Sequence, residues 1–303
     1  MPSDSENPLI SSEEGQRSVR EYHAEAMKVI RQYPTIHQFV HDDRWAEDYL
    51  QKVLKSNGHV GDGGGNEYPE LYFAPYRIER NELPQDYLAR VETALSGILR
   101  KNLPKRNRAD LLGGLRDGTA GHVFEVILAW AFFAHFGEDR VQPYPLISPG
   151  EPRTADFALE TSDGRVLIEA TVYLDDAGTA AQNRQAMSSG LLSWVTQPPS
   201  RIERRERIIR KCEGKLQGIP YLSPVVLCMN QQTKWPLPEE MKETLQDWVE
   251  SATSSSHSAL LGVACFLYDR FKGFIRPQTG GQGNRVFEQT IQELIAALSA
   301  LSS

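Results

Sequence analysis

The stretch Arg165-Val166-Leu167-Ile168-Glu169-Ala170-Thr171-Val172-Tyr173-Leu174 sets one carboxylate in the middle of an apolar run rich in β-branched residues. Such a run reads as a buried strand. Alternation puts Glu169 and Thr171 on one face, and Ile168, Ala170 and Val172 on the other. Ser162-Asp163-Gly164 supplies turn residues just before it, so Ala155 to Glu160 reads as its hairpin partner. Val141 to Ile147 reads as a third strand. Ahead of these lies Gly121 to Phe136, a strongly apolar helix ended by Gly137. After them come a charged amphipathic helix, Ile202 to Leu216, and a second buried strand, Pro224 to Met229. The order is α-β-β-β-α-β, an α/β core.

Further out the patterns are weaker. Leu237 to Ser251 reads as a helix, Ser254 to Ser256 as a loop, Leu260 to Tyr268 as an apolar strand and Val286 to Leu301 as a closing amphipathic helix. Asp175 to Gln197 reads as loop plus helix. On the N-terminal side, residues 1–16 have the composition of a disordered tail. Ser18 to Leu54 has helical spacing broken at Pro34, which predicts two or three short helices. Gly58 to Asn66, with five glycines, reads as a flexible loop. Leu83 to Leu99 is a further helix with Pro84 in its first turn. The expected organisation is a tail (1–16), a mainly helical region (17–117) and an α/β domain (118–303).

Composition narrows the function. The chain has 303 residues, 40% of them hydrophobic, and a formal net charge of -7 from 33 Lys+Arg and 40 Asp+Glu. A whole-protein basic field is thereby excluded as the means of finding nucleic acid. Three cysteines, Cys212, Cys228 and Cys265, make neither a disulfide framework nor a zinc spacing. A reducing, cytoplasmic setting is expected. Met1 to Gln16 lacks the pattern of a signal peptide, and Val123 to Phe136 is too short to span a bilayer. A soluble protein without membrane contact is expected.

Three carboxylates stand where burial is expected: Glu125 in the apolar helix, Asp156 in Thr154-Ala155-Asp156-Phe157, and Glu169. A buried charge is costly unless it is paired, protonated or bound to a cation. With a hairpin turn at 162–164, Asp156 and Glu169 can converge at one end of the sheet. Two carboxylate oxygens with a backbone carbonyl and water form a set that suits Mg²⁺. Structural readings compete: Glu125 paired with His122 or an arginine, Asp156 ending a strand, Glu169 on an edge.

Gly121-His122-Val123-Phe124-Glu125, then Thr154-Ala155-Asp156-Phe157, then Ile168-Glu169-Ala170-Thr171, resemble the motifs of the PD-(D/E)xK phosphodiesterase superfamily, whose restriction-endonuclease-like core has the same α-β-β-β-α-β order. The resemblance covers Gly121 to Asn230, roughly a third of the chain. It implies cleavage of nucleic acid backbones with Mg²⁺ or Mn²⁺. Carried over by position, Asp156 and Glu169 are metal ligands with the Ala170 carbonyl beside them, and Glu125 supports the site. Ala155 stands where the motif has proline. Thr171 stands where it has its lysine. Some members move that lysine to the following helix, and Lys211 and Lys215, four apart on one helix face, are the candidates here. Lys215, nine residues before Pro224, is the better match.

Two basic stretches flank these motifs. One holds Arg100, Lys101, Lys105, Arg106 and Arg108, with Arg116 beyond. The other, Arg201 to Lys215, includes Arg201, Arg204 and Arg205 and carries seven basic against three acidic residues. Phosphate backbones select such patches, since neutralising them releases counterions. Helix faces laced by salt bridges have the same composition. Thr279 to Asn284 is glycine-rich but lacks the lysine and spacing of a P-loop. The expectation is a metal-dependent endonuclease acting on nucleic acid, double-stranded DNA before RNA, in a defence or restriction setting. Its N-terminal helices would serve substrate contact, specificity, homodimerisation or a defence-system partner. The competing expectation, motivated by Thr171 and the acidic balance, is an inactive nuclease-fold scaffold that binds nucleic acid or protein.

Overall fold

A computed structural model describes residues 13–55, 70–101, 105–116, 120–147, 154–173, 200–220, 222–232, 236–255, 258–278 and 286–302. The loop expected at 58–66, the stretch 175–197, the glycine-rich 279–284 and most of the expected tail lie outside the described residues. Those in Met1–Ser96 and Ala109–Val123 fall into one compact unit, and those in Gly97–Arg108, Phe124–Leu174 and Pro198–Ser303 into another. This division differs from the expected boundary at 117/118.

The first unit contains α1 (Glu13–Ile30), α2 (Pro34–Phe39), α3 (Asp43–Lys55), α4 (Glu70–Glu79) and most of α5 (Tyr87–Leu99). Helix α1 takes in Glu13 to Gln16, which were expected in the tail; Glu13 and Glu14 suit the positive end of the helix dipole. Pro34 opens α2 at a position where its missing N–H costs nothing. Glu92 of α5 accepts the N–H groups of Thr35 (2.9 Å) and Ile36 (2.9 Å), capping α2 from outside. Helix α4 was not foreseen, because Pro75 lies inside it. It buries Leu71, Tyr72 and Ala74. His41 is fully buried, stacks on Trp45 at 3.9 Å and bonds the Arg116 carbonyl at 3.2 Å. Burial drives its pKa down to about 4.

The second unit is built on a six-stranded sheet in the order β1-β2-β3-β4-β5-β6. The strands are β1 (Val141–Pro143), β2 (Phe157–Thr161), β3 (Gly164–Tyr173), β4 (Val225–Gln231), β5 (Leu260–Leu267) and β6 (Arg270–Ile275). Strands β1, β2 and β3 are antiparallel neighbours, β3, β4 and β5 are parallel, and β6 returns antiparallel. Parallel neighbours need crossovers. Here α8 (Arg201–Leu216) lies between β3 and β4 in the chain, and α9 (Pro238–Ser255) between β4 and β5. Both helices bury their apolar stripes on one sheet face: Ile208, Cys212 and Leu216 with Leu245, Trp248 and Val249, over Leu167, Leu227 and Met229. The other face meets α7 (Ala120–Phe136), through Phe124 against Phe266 (4.9 Å) and Phe132 against Phe157 (5.6 Å). Gly97 of α5 lies against the Trp130 indole of α7, with no room for a Cβ. A short 3-10 helix, Glu138–Arg140, precedes β1, α10 (Glu288–Ser299) follows β6, and α6 (Lys105–Arg116) falls partly in each unit.

Strand β1 is shorter than expected, because Pro143 and Pro145 deny it two ladder donors. Strand β6 was missed. Its hairpin turn, Tyr268-Asp269, has positive φ at both residues (49° and 62°), where Asn-Gly is the usual signal. Asp269 is held there by Asn230, which accepts its N–H at 3.0 Å and donates to its carboxylate at 2.5 Å.

Candidate functional site

The site lies at the end of the β2–β3 hairpin. Phe157 pairs with Ile168. One residue further in the same register, Asp156 stands opposite Glu169, so period-two alternation sends both carboxylates to the face covered by α8. Asp156 Oδ2 accepts the Ala170 N–H at 2.6 Å. It also accepts a bond from Lys215 Nζ at 3.0 Å, and the same Nζ lies 3.5 Å from Glu169 Oε2. The two carboxylate oxygens are therefore separated by no more than the sum of those distances, 6.5 Å. Glu169 is 3% exposed, so its charge is held almost out of water.

Lys215 arrives from α8 by helix geometry. Ser200 and Glu203 form a reciprocal capping box at the start of this helix. From the first turn to the last, the buried series Arg204, Ile208, Cys212 and Leu216 fixes which edge faces the sheet. Lys215, one position before Leu216, lies on the edge next to that series. Burial alone would lower its pKa, but Asp156 and Glu169 win, and the net shift is upward. Lys211, one turn earlier, is exposed. Partial desolvation and the like charges of Lys215 and Arg207 hold its pKa below the ordinary lysine value.

Glu125 comes from α7, one residue after the buried Phe124. Burial, and then the charge of Asp156, push its pKa up to about 7, against the opposing pull of a Tyr144 hydrogen bond and of Lys215. Tyr144 Oη donates to Glu125 Oε2 at 2.8 Å, while the Tyr144 N–H bonds the Asp156 carbonyl at 3.0 Å. Its φ is 48°, a left-handed conformation costing a non-glycine residue about 1–2 kcal/mol. Sequence reasoning passed over this residue. Its only signal is Pro143-Tyr144-Pro145, a tyrosine clamped between two breakers.

The basic candidates divide. Arg204 is bidentate to Glu240 of α9 (3.0 and 2.8 Å), with both side chains 10% exposed. It is unavailable to a phosphate, since breaking that pair would strand a buried charge. Arg201 pairs with Glu243 (2.6 Å) and Arg205 with Asp247 (2.9 Å) on the same edge of α8. The α8 cations expected to meet nucleic acid are thus matched by acids of α9. Of the other stretch, Lys101 pairs with Glu138 at 3.5 Å, Arg100 is exposed, Lys105 and Arg106 are exposed on the first turn of α6, and Arg108 is half-buried.

Two carboxylates with oxygen donors suit a hard divalent cation, and Mg²⁺ characteristically takes one or two carboxylates plus waters and substrate oxygens. Among the described residues no group of three or more His, Cys, Asp or Glu side chains is arranged to hold a metal ion. Any such ion would therefore rest on Asp156 and Glu169, in competition with the Lys215 ammonium. With Glu125 protonated, the two carboxylates and Lys215 leave one net negative charge; with Glu125 ionised they leave two. No described helix is long and apolar enough to cross a membrane. The chain matches no protein-family model, no curated protein and no solved structure.

Proposed function

We propose that the chain is a divalent-metal-dependent endonuclease that hydrolyses phosphodiester bonds in nucleic acid, DNA before RNA, in a cytoplasmic defence or restriction setting. One observation carries this reading. The Lys215 ammonium, from the helix after β3, lies 3.0 Å from Asp156 and 3.5 Å from Glu169. It is the cation that the motif lacks at Thr171, supplied through space. The order α7-β1-β2-β3-α8-β4 agrees with a restriction-endonuclease-like core and supports the same reading.

Asp156 and Glu169 would hold Mg²⁺ or Mn²⁺, with the Ala170 carbonyl beside them. When bound, such an ion acidifies water and offsets charge on the phosphate. Lys215 contributes a preorganised positive charge where the attacked phosphate becomes more negative. Glu125, with a pKa of about 7, can carry or release a proton at neutral pH. Tyr144 fixes which carboxyl oxygen is free to do so.

The test is conversion of supercoiled plasmid to nicked and linear forms with Mg²⁺, Mn²⁺ or a chelator. Cleavage that needs metal and disappears in Glu169→Gln is expected. Nucleic acid binding without cleavage under any divalent metal favours the scaffold reading, in which Lys215 is simply the structural counterion of two buried carboxylates.

A further inference from the structure

We propose that Thr171 and Lys211 form a phosphate subsite beside the two carboxylates, holding the backbone phosphate next to the one attacked. This rests on the nuclease reading above and names where its substrate is gripped. Two side chains without partners carry the argument. Thr171 is 6% exposed, and among the described residues its hydroxyl has no hydrogen-bond partner. A buried hydroxyl left unbonded is costly, so it calls for a partner from outside the fold. Lys211 likewise has no hydrogen bond or ion pair among the described residues, and it is exposed.

The register of α8 on β3 brings the two together. Leu167 and Tyr173 of β3 share one core with Ile208, Cys212 and Leu216 of α8. Thr171 lies on that same face by alternation, and its ladder neighbour Met229 belongs to the same core. Along this face Arg207 lies over the Tyr173 ring at 5.4 Å, and Lys215 lies 3.5 Å from Glu169. Helix and strand therefore run antiparallel. Between those two contacts the strand advances about 13 Å and the helix about 12 Å. Thr171 is the midpoint on the strand. Lys211 is the midpoint on the helix, on the edge that carries Arg207 and Lys215. The hydroxyl and the ammonium thus stand opposite each other, one step from the carboxylates.

Both groups donate, and a phosphodiester oxygen accepts from both. The carboxylates cannot grip a phosphate by themselves, since Lys215 offsets only one of their two charges. Lys211 has no such opposing acid beside it. Burial, and then the like charges of Lys215 and Arg207, hold its pKa below the ordinary lysine value, and an arriving anion relieves that repulsion. The step from Lys211 to Lys215 is about 6 Å along the helix axis. It is comparable with the separation of neighbouring phosphates along one strand. A backbone with one phosphate on Lys211 and Thr171 therefore presents the next at Lys215. Thr171 then keeps a part in the site without the charge of the lysine it replaces: it holds the substrate, and Lys215 supplies the cation.

The test is binding of a fluorescent DNA duplex to the full chain in chelator, titrated across salt concentrations, with a thermal melt of each variant. Thr171→Val should melt at or above the wild-type temperature, because it removes an unbonded buried hydroxyl, yet bind about tenfold more weakly. Its slope of log K against log salt should equal that of the wild type, since a neutral hydroxyl releases no counterion. Lys211→Gln should lower that slope by about 0.9, one phosphate contact. Thr171→Ser keeps the hydroxyl and should bind like the wild type. Thr171→Val/Lys211→Gln should lose less than the product of the separate losses, since both act on one phosphate. A lower melting temperature or wild-type affinity in Thr171→Val, or an unchanged slope in Lys211→Gln, overturns the subsite. Metal-dependent plasmid cleavage by the wild-type chain would keep the nuclease reading standing in that case. Failure of the wild-type chain to bind the duplex at any salt overturns both.

Discussion

Glu125 is the residue whose chemistry is most exposed to solution conditions. Its carboxyl titrates near 4.5 in an unfolded chain and at about 7 in the fold. Between those values the native state holds the extra proton, so this group's contribution to stability is full below about pH 4.5 and is lost as the pH rises through 7. Glu125→Gln should flatten that part of the profile, read as Tm against pH from 5 to 8; an unchanged slope would mean that Glu125 is not desolvated. Lys215 gives a second test. The ammonium lies against two carboxylates no more than 6.5 Å apart and offsets one of their two charges. Lys215→Met should therefore lower stability in metal-free buffer, yet bind Mn²⁺ about tenfold more tightly, a gain of about 1.4 kcal/mol. Calorimetry reads this directly, and equal or weaker binding would show that lysine and metal do not share the site. The sequence made Asp156, Glu169 and Lys215 legible because hairpin register and helical spacing are short-range rules. Tyr144 was not legible, since its position depends on a left-handed bend between two prolines and on pairing with Asp156.

At the scale of elements, the ion pairs between α8 and α9 among the described residues are of unequal weight. Arg204–Glu240 is 10% exposed on each side, whereas Arg201–Glu243 is 70% and 66% exposed. Glu240→Ala should cost about 3–5 kcal/mol, because it leaves a buried guanidinium unpaired. Glu243→Ala should cost at most about 1 kcal/mol. Urea denaturation compares the two, and equal losses would contradict the assigned burial. The helices α7, α8 and α9 and the strands β2 to β5 could be read from the sequence, because each is long or continuously apolar. Strand β6 could not. Arg270-Phe271-Lys272-Gly273-Phe274-Ile275 alternates for only a few residues, and its turn is enforced by Asn230 from β4, far away in the chain. Helix α4 hides behind Pro75, which local rules read as a breaker. The composition of Arg201 to Lys215 suggested a nucleic acid surface, but could not say that α9 would match Arg201, Arg204 and Arg205 with acids.

For the whole molecule, a net charge of -7 gives no long-range attraction for nucleic acid, so the proposed function requires contact at local basic groups. On that reading the chemistry falls to the carboxylates and Lys215. The central claim is that Lys215 supplies the catalytic cation absent at Thr171. The most direct measurement is the single-turnover rate of DNA cleavage, with Mg²⁺ and saturating protein, for the wild-type chain, Lys215→Met, and Arg210→Gln on the solvent-facing side of α8 as control. The account predicts that Lys215→Met still binds DNA but cuts about 10² to 10³ times more slowly, while Arg210→Gln cuts like the wild type. Cleavage by Lys215→Met at the wild-type rate would contradict it.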